Sequence, residues 1–447
     1  MFCSRHILDQ HILFEREASQ IDAFTEQNNT LKTQQQIFAE YSVTQRTAKL
    51  LAFAERLNAA KHDLAMQICL EVGRCLRECE AELEKSLDLI RYYARLSPEL
   101  LQPKIIATQA QLSQVRFEPL GVVLAVMPWN YPVWQLLRFA VPALCAGNAC
   151  LVKPAPTVAG VTQALFDAVG DDLPFQAAWL ADDDVEAAIA QTHALAFTGS
   201  DATGRHLAAL AGKHLKKCVL ELGGSNAFIV LDDADIEEAA KDACYSRFRD
   251  AGQSCNAAKR LIVTDAVADA FIACFLTHCR RLKTGAPWLP ETTLAPLHRA
   301  DLRDRVHEQV CDALAHGAVC LLGGEMPEGA GYFYPATVLD HINPQCRMYD
   351  EEVFGPAVGI LRARNAEHAI ALANDNPFGL GASIYSRSTD MAWHWAKQLQ
   401  TGSVFINRHT SSDLRLPFGG VKDSGFGREL SEFGLYEFVN VKSYWQK

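Results

Sequence analysis

An α/β protein with more than one doubly wound parallel sheet is what this sequence predicts. Three observations carry the prediction. At 447 residues the chain is too long for one ordinary core. Between residues 119 and 221, short apolar runs of strand composition alternate with helical patterns, the order that builds a parallel sheet covered on both faces. The composition, 49% hydrophobic and 21% charged, is that of a soluble globular protein, and no run reaches the roughly 18 apolar residues of a membrane span.

Residues 1–44 are polar and Gln-rich, with short alternation near Ile12–Phe14. They predict a peripheral strand followed by a helix. Leu50, Leu51, Phe53, Ala54 and Leu57 recur at helical spacing over 46–60. Leu64, Ile68, Val72, Leu76 and Leu83 predict a second long helix. Cys69, Cys75 and Cys79 fall on or near its apolar stripe, where free cysteine packs as a small hydrophobe.

The run PLGVVLAVMPW at 119–129 has the continuous valine-rich character of a strand buried on both faces. Residues 149–153 (ACLVK), 194–197 (ALAF) and 217–221 (KCVLE) read as its neighbours. Ligands of such sheets bind beyond the carboxyl ends of the strands, so the residues just after each strand matter most. Asn130 follows the first strand and Lys153 ends the second. Either reads as a turn or surface residue, or as a polar group aimed at a ligand. Residues 197–206, FTGSDATGRH, place Gly199 and Gly204 at P-loop spacing. Arg205-His206 replaces the Lys-Ser/Thr pair, and histidine has no hydroxyl to hold magnesium, which excludes a P-loop triphosphatase. Instead, Gly199-Ser200 opens a helix whose first N–H groups suit a pyrophosphate. Glu221 ends the last strand before two glycines, as an ion-pair partner or as a mobile general base.

Asp232–Asp235 open an acidic helix start, and that helix delivers the chain to RFRDAGQSCNAAKR at 247–260. Cys255 stands there among Arg247, Arg249, Lys259 and Arg260. An electropositive, partly open setting activates a thiol. Read alone, the segment fits a buried structural cysteine as well as a nucleophile.

Net charge is −11, which argues against nucleic acid or an anionic membrane as partner. The 14 cysteines contain no CxxC pair, no zinc-ligand spacing appears, and the opening MFCSRHILDQH has no apolar signal core. The expectation is reduced thiols, no metal and a cytoplasmic location.

Four motifs then occur in one order: PWNYP at 128–132, ELGG at 221–224, GQSC at 252–255 and EEVFGP at 351–356. Together they resemble the aldehyde dehydrogenase superfamily, from residue 45 to the C-terminus. The resemblance implies two Rossmann-like α/β domains plus a small β extension for oligomerisation. Residues 1–100 and 120–223 would form the cofactor-binding domain and 224–437 the catalytic domain. Residues 101–119 and 438–447 would be strands joining a homodimer or homotetramer. Cys255 is implied as nucleophile, Asn130 with the Cys255 N–H as oxyanion donor, and Glu221 as base. Trp129, Lys153, Pro156, Gly199, Ser200, Glu352 and Phe354 are implied to contact the cofactor. Pro156 stands where NAD-preferring members often carry a glutamate, so NAD and NADP are both admitted. Family members usually have asparagine where Asp250 stands, which adds a negative charge near the thiol.

Arg138 lies eight residues after Asn130, and Arg249 six before Cys255. Members that oxidise succinate semialdehyde carry arginines at both offsets, and guanidinium suits carboxylate geometrically. Ser412 offers a third contact. The expected substrate is a small aldehyde, succinate semialdehyde first. Glutarate semialdehyde, a broad aldehyde range and a non-catalytic binding relative are the competing expectations.

Overall fold

The computed structural model describes residues 1–447. An N-terminal hairpin, β1 (Phe2–Arg5) and β2 (Ile12–Arg16), leads into four helices: α1 (Ile21–Glu40), α2 (Val43–Ala59), α3 (Lys61–Val72) and α4 (Leu76–Leu100). Next come β3 (Lys104–Ile105), β4 (Leu112–Pro119), β5 (Val122–Val126), α5 (Trp134–Cys145), β6 (Ala149–Lys153) and α6 (Ala159–Val169). They are followed by β7 (Phe175–Ala177), α7 (Val185–Gln191), β8 (Ala194–Thr198), α8 (Asp201–Lys213) and β9 (Lys217–Glu221). Four of these strands, β5, β6, β8 and β9, fall where the apolar runs predict them. The short strand β7 carries only FQA and has no such run to announce it.

The chain crosses to a second sheet after only four residues, through β10 (Asn226–Val230), α9 (Ile236–Phe248), β11 (Ala258–Thr264) and α10 (Asp265–Cys279). The second half continues with α11 (Ala300–Ala315), β12 (Val319–Leu322), β13 (Thr337–Asp340), α12 (Arg347–Asp350), β14 (Ala357–Ala363) and α13 (Ala366–Asn374). It closes with β15 (Phe378–Gly379), β16 (Gly381–Tyr385), α14 (Thr389–Ala396), β17 (Ser403–Ile406), β18 (Val421–Lys422), β19 (Gly425–Phe426), α15 (Ser431–Tyr436) and β20 (Val439–Gln446).

The first sheet has the order β19-β9-β8-β5-β6-β7 and is parallel except at β19. Its strands bury both faces. Val123 and Ala125 pack into the core shared with α2–α6, while Val122 and Leu124 pack against α1, α7 and α8. The second sheet has the order β12-β13-β14-β11-β10-β16-β17 and is parallel except at β12. Strand order reverses between β5 and β8, the point at which open α/β sheets bind ligands. Because β9 ends at Glu221 and β10 begins at Asn226, the carboxyl edge of one sheet meets the amino edge of the other. A separate antiparallel sheet, β20-β4-β3, leaves Val441 and Trp445 exposed.

Two expectations need correction. The N-terminal segment forms two strands, paired to each other, rather than one. The second long helix is two helices, because Gly73 has φ +91° and ends α3 in the left-handed region. A Cβ there would lie 2.6 Å from Ile7 Cγ1. Gly73→Ala is therefore expected to cost about 1–3 kcal/mol, from backbone strain and this collision. A lower urea midpoint at unchanged slope checks it.

Candidate active site

The cysteine at the meeting edge of the two sheets is delivered by a strained turn. Helix α9 ends at Phe248, and Asp250, Ala251 and Gly252 follow with φ of 53°, 52° and 72°. A side chain at Gly252 would collide with the Gly355 carbonyl and the Arg247 guanidinium. Arg247 Nη2 donates to Gly252 O at 2.7 Å, pinning the turn. Asp250 is buried and turned into an ion network. Its carboxylate accepts from Arg74 Nε at 2.6 Å, lies 3.0 Å from Arg249 Nε, and accepts the Tyr131 hydroxyl. Burial alone would raise its pKa, but Arg74, Arg249 and Tyr131 outweigh burial and hold it below the usual carboxylate value. The charge is thus neutralised where it stands.

Asn130 reaches the same turn from β5, its Nδ2 donating to Gln253 O at 3.0 Å. Gln253 is fixed in turn by the His298 N–H, 2.9 Å from its Oε1. Glu221, at the end of β9, is 3% exposed, and neither carboxylate oxygen has a hydrogen-bond partner. Burial, with Glu429 adding to it, pushes its pKa well above the ordinary range. Burial also raises the Cys255 thiol, against the pull of Lys259 and Arg138. Lys259 Nζ donates to Cys255 O at 3.1 Å and Gly224 O at 2.7 Å, and pairs with Glu352. Glu352 also accepts the Gly224 N–H at 3.2 Å, so one carboxylate ties the Glu-Leu-Gly-Gly turn to the cysteine strand.

Two cavities meet at Cys255 and Gln135, which line both. The larger, about 550 Å³, lies beyond the strand ends and is lined by Trp129, Asn130, Gly199, Ser200, Glu221, Glu352 and Phe354. Trp129 stacks on His298 at 4.3 Å and meets Phe354 edge-on at 5.9 Å. Burial, with Arg299 adding to it, pushes His298 down to about 3, so that ring is neutral. Ser200 caps α8 by accepting the Thr203 N–H at 3.3 Å. The Thr198 hydroxyl, also on this wall, is buried without a partner. A long crevice with a helix N-terminus, an aromatic wall and an unsatisfied hydroxyl fits a dinucleotide. Lys153 and Pro156 stand on the same sheet edge but outside this lining. Lys153 pairs with Asp182 at 2.6 Å, and Pro156 opens a single 3-10 turn.

The smaller cavity, about 100 Å³, is lined by Arg138, Arg249, Ser412, Tyr131 and Trp134. All three sequence-predicted substrate contacts therefore reach it. Arg138 is buried against Glu429 and lies 4.6 Å over the Phe418 ring. Two further residues of these walls escape sequence reasoning. Gln135, on α5, and Lys85, on α4, carry no motif, and a lysine on an amphipathic helix reads as solvated surface.

Comparison with known proteins agrees with this geometry. The family model described as "Aldehyde dehydrogenase family" matches residues 10–444. The chain is 44% identical over 413 residues to the succinate semialdehyde dehydrogenase (NAD(P)+) of Escherichia coli K12, covering 91% of this chain and 89% of that protein. It is 42% identical over 406 residues to the succinate-semialdehyde dehydrogenase (NADP+) of Deinococcus radiodurans, covering 90% and 85%. The crystal structure of succinic semialdehyde dehydrogenase from Streptococcus pyogenes with NADP+ superposes with a TM-score of 0.96 at 32% identity, covering 100% of this chain and 99% of that one.

The buried network generates a stability test. Asp250→Asn keeps the shape but leaves Arg74 with one anionic partner fewer, and about 3–5 kcal/mol should be lost. Asp250 has a lowered folded pKa, so its contribution is present above the unfolded value near ~3.9. It is lost as pH falls through the folded value. The gap between wild type and variant, read from denaturant unfolding, should therefore close in acid.

Proposed function

This chain belongs to the aldehyde dehydrogenase family, and from that premise we propose that it oxidises succinate semialdehyde to succinate with NAD or NADP. The observation that carries the reading is the position of Cys255, shared by a dinucleotide-sized crevice and a small cation-lined cavity. A substrate with an aldehyde at one end and a carboxylate at the other fits that arrangement. The names of the E. coli and D. radiodurans relatives support the choice of acid and of cofactor.

Cys255 passes its thiol proton to water, Sγ adds to the aldehyde carbon, and the carbonyl π pair moves to the oxygen, which becomes an alkoxide. Asn130 Nδ2, now donating to Gln253 O at 3.0 Å, and the Cys255 N–H receive that charge. NAD or NADP, when bound, supplies the acceptor for the hydride that this carbon must lose. Glu352, Phe354 and Trp129 line the wall that would hold its nicotinamide end. Gly199, Ser200 and the Thr198 hydroxyl would receive its pyrophosphate, and Lys153 and Pro156, beyond this lining at the end of β6, would meet only a cofactor that extends past it. The product on Cys255 is a thioester. Glu221 then takes a proton from water, the hydroxide oxygen joins the acyl carbon, and the Cys255 thiolate leaves. The lack of hydrogen bonds to Glu221 suits this role, because an unstabilised carboxylate is the stronger base. Arg138, Arg249 and Ser412 surround the far end of the substrate.

The exposed β20-β4-β3 sheet supports a homodimer or homotetramer, since an open strand edge and a bare Trp445 invite pairing. Fourteen cysteines, none in a disulfide, support a cytoplasmic location.

Cys255→Ala is expected to abolish NADPH formation while cofactor binding persists, measured by absorbance and by fluorescence titration. Glu221→Gln should retain a single-turnover burst of reduced cofactor but lose roughly 10²–10⁴ in steady-state rate. Because burial raises the thiol, kcat/KM for an uncharged aldehyde such as butanal should climb with pH until alkaline to the ordinary cysteine value. A flat profile from neutral pH upward contradicts a resting thiol.

A further inference from the structure

The smaller cavity holds three cationic side chains, and they are not equivalent. Arg138 has one carboxylate partner, the buried Glu429, and Arg249 has one, the buried Asp250 that it shares with Arg74, while Arg138 Nη2 is buried without a hydrogen-bond partner. Each arginine therefore has a carboxylate counter-charge within the protein. Lys85, half-buried on α4, forms no ion pair with any carboxylate of the chain. Its ammonium donates to the Ser412 hydroxyl and lies 4.4 Å over the Trp134 ring.

We propose that Lys85 supplies the counter-charge for the far carboxylate of the substrate and so sets the preference of this site for an acidic aldehyde. The inference rests on the reading of the site as one that oxidises such an aldehyde. Lys85 and Ser412 meet on the wall of the same cavity that Cys255 lines, so a carboxylate held in that cavity can reach them. A lysine held among like charges and out of water is short of an anion. Its pKa is pushed down to about 8, by burial first and then by Arg138 and Arg249, against which Asp413 and Cys255 pull weakly. A bound carboxylate reverses that balance, and none of the three cations has to abandon a protein partner to receive it.

The test compares succinate semialdehyde with butanal, which has the same chain length and no charge, on the full-length enzyme. Lys85→Met is expected to raise the ratio of KM for succinate semialdehyde to KM for butanal by roughly 10- to 100-fold, the value of a hydrogen bond to a charged group. Lys85→Arg should recover most of that ratio. In wild type the ratio should also rise as pH passes about 8, where Lys85 loses its proton. In Lys85→Arg it should stay flat, because guanidinium remains charged. The other ionisable groups facing this wall are Cys255, Tyr131, Tyr245, His409, Glu82, Asp250 and Asp413, with Arg138 and Arg249. Cys255 acts on both aldehydes alike, and the others are common to wild type and Lys85→Arg. A wild type that does not prefer succinate semialdehyde to butanal overturns the substrate reading itself. A clear wild-type preference that Lys85→Met leaves intact, with the same pH dependence in Lys85→Arg as in wild type, overturns the role of Lys85 and returns the carboxylate to the arginines.

Discussion

A single buried guanidinium ties the reactive parts of this chain together. Arg74 donates to Asp250 at 2.6 Å in the turn before Cys255, to Asn130 O at 3.4 Å in the turn after β5, and to Glu78 O at 3.2 Å on its own side of the fold. It also pairs with Glu82, whose Oε1 accepts the Val133 and Trp134 N–H groups at the start of α5, at 3.0 and 2.8 Å. Desolvating such charges costs several kcal/mol per ion, and only a full set of partners repays it. Burial would lower the Arg74 pKa, but Asp250 and Glu82 overcome burial and raise it. The left-handed Gly73 is what turns the chain so that Arg74 enters the interior. Backbone geometry at one residue thus fixes the relative position of two loops more than a hundred residues apart.

That rigidity offsets a local cost. Glu221 has no hydrogen bond, Cys255 is raised by burial, and three successive residues before it occupy the left-handed region. The bare Glu221 carboxylate and the left-handed turn cost stability, and burial keeps the Cys255 thiol protonated at rest. The surrounding sheets, buried on both faces, supply the stability these residues give up.

Much of the cofactor half was legible in the sequence, for a simple physical reason. A strand buried on both faces must be apolar at every position, so β5, β6 and β8 stand out as runs bounded by turns. The residues following them, Asn130 and Gly199-Ser200, could then be placed at one edge. The break at Gly73 was hidden because apolar residues keep helical spacing on both sides of it. The partnership of Arg138 with Glu429 was equally hidden. It joins residues nearly three hundred positions apart, and no local pattern encodes it.

Charge balance in the smaller cavity shows what a motif offset leaves out. Two arginines at the spacing of succinate-semialdehyde oxidisers say where guanidinium groups lie along the chain. They do not say how much of that charge is spent within the protein. Here Glu429 and Asp250 each take one, and Asp250 is the residue that departs from the family's usual asparagine. A carboxylate at that position gives Arg249 a counter-ion at the cavity wall itself. The free positive charge in the pocket then resides on an amine from a different helix, one that no nearby acid holds. On the proposed role of Lys85, recognition of an acidic substrate depends on how the helix α4 packs beside the turn before Cys255, and it changes with any substitution that frees or neutralises one of these pairs.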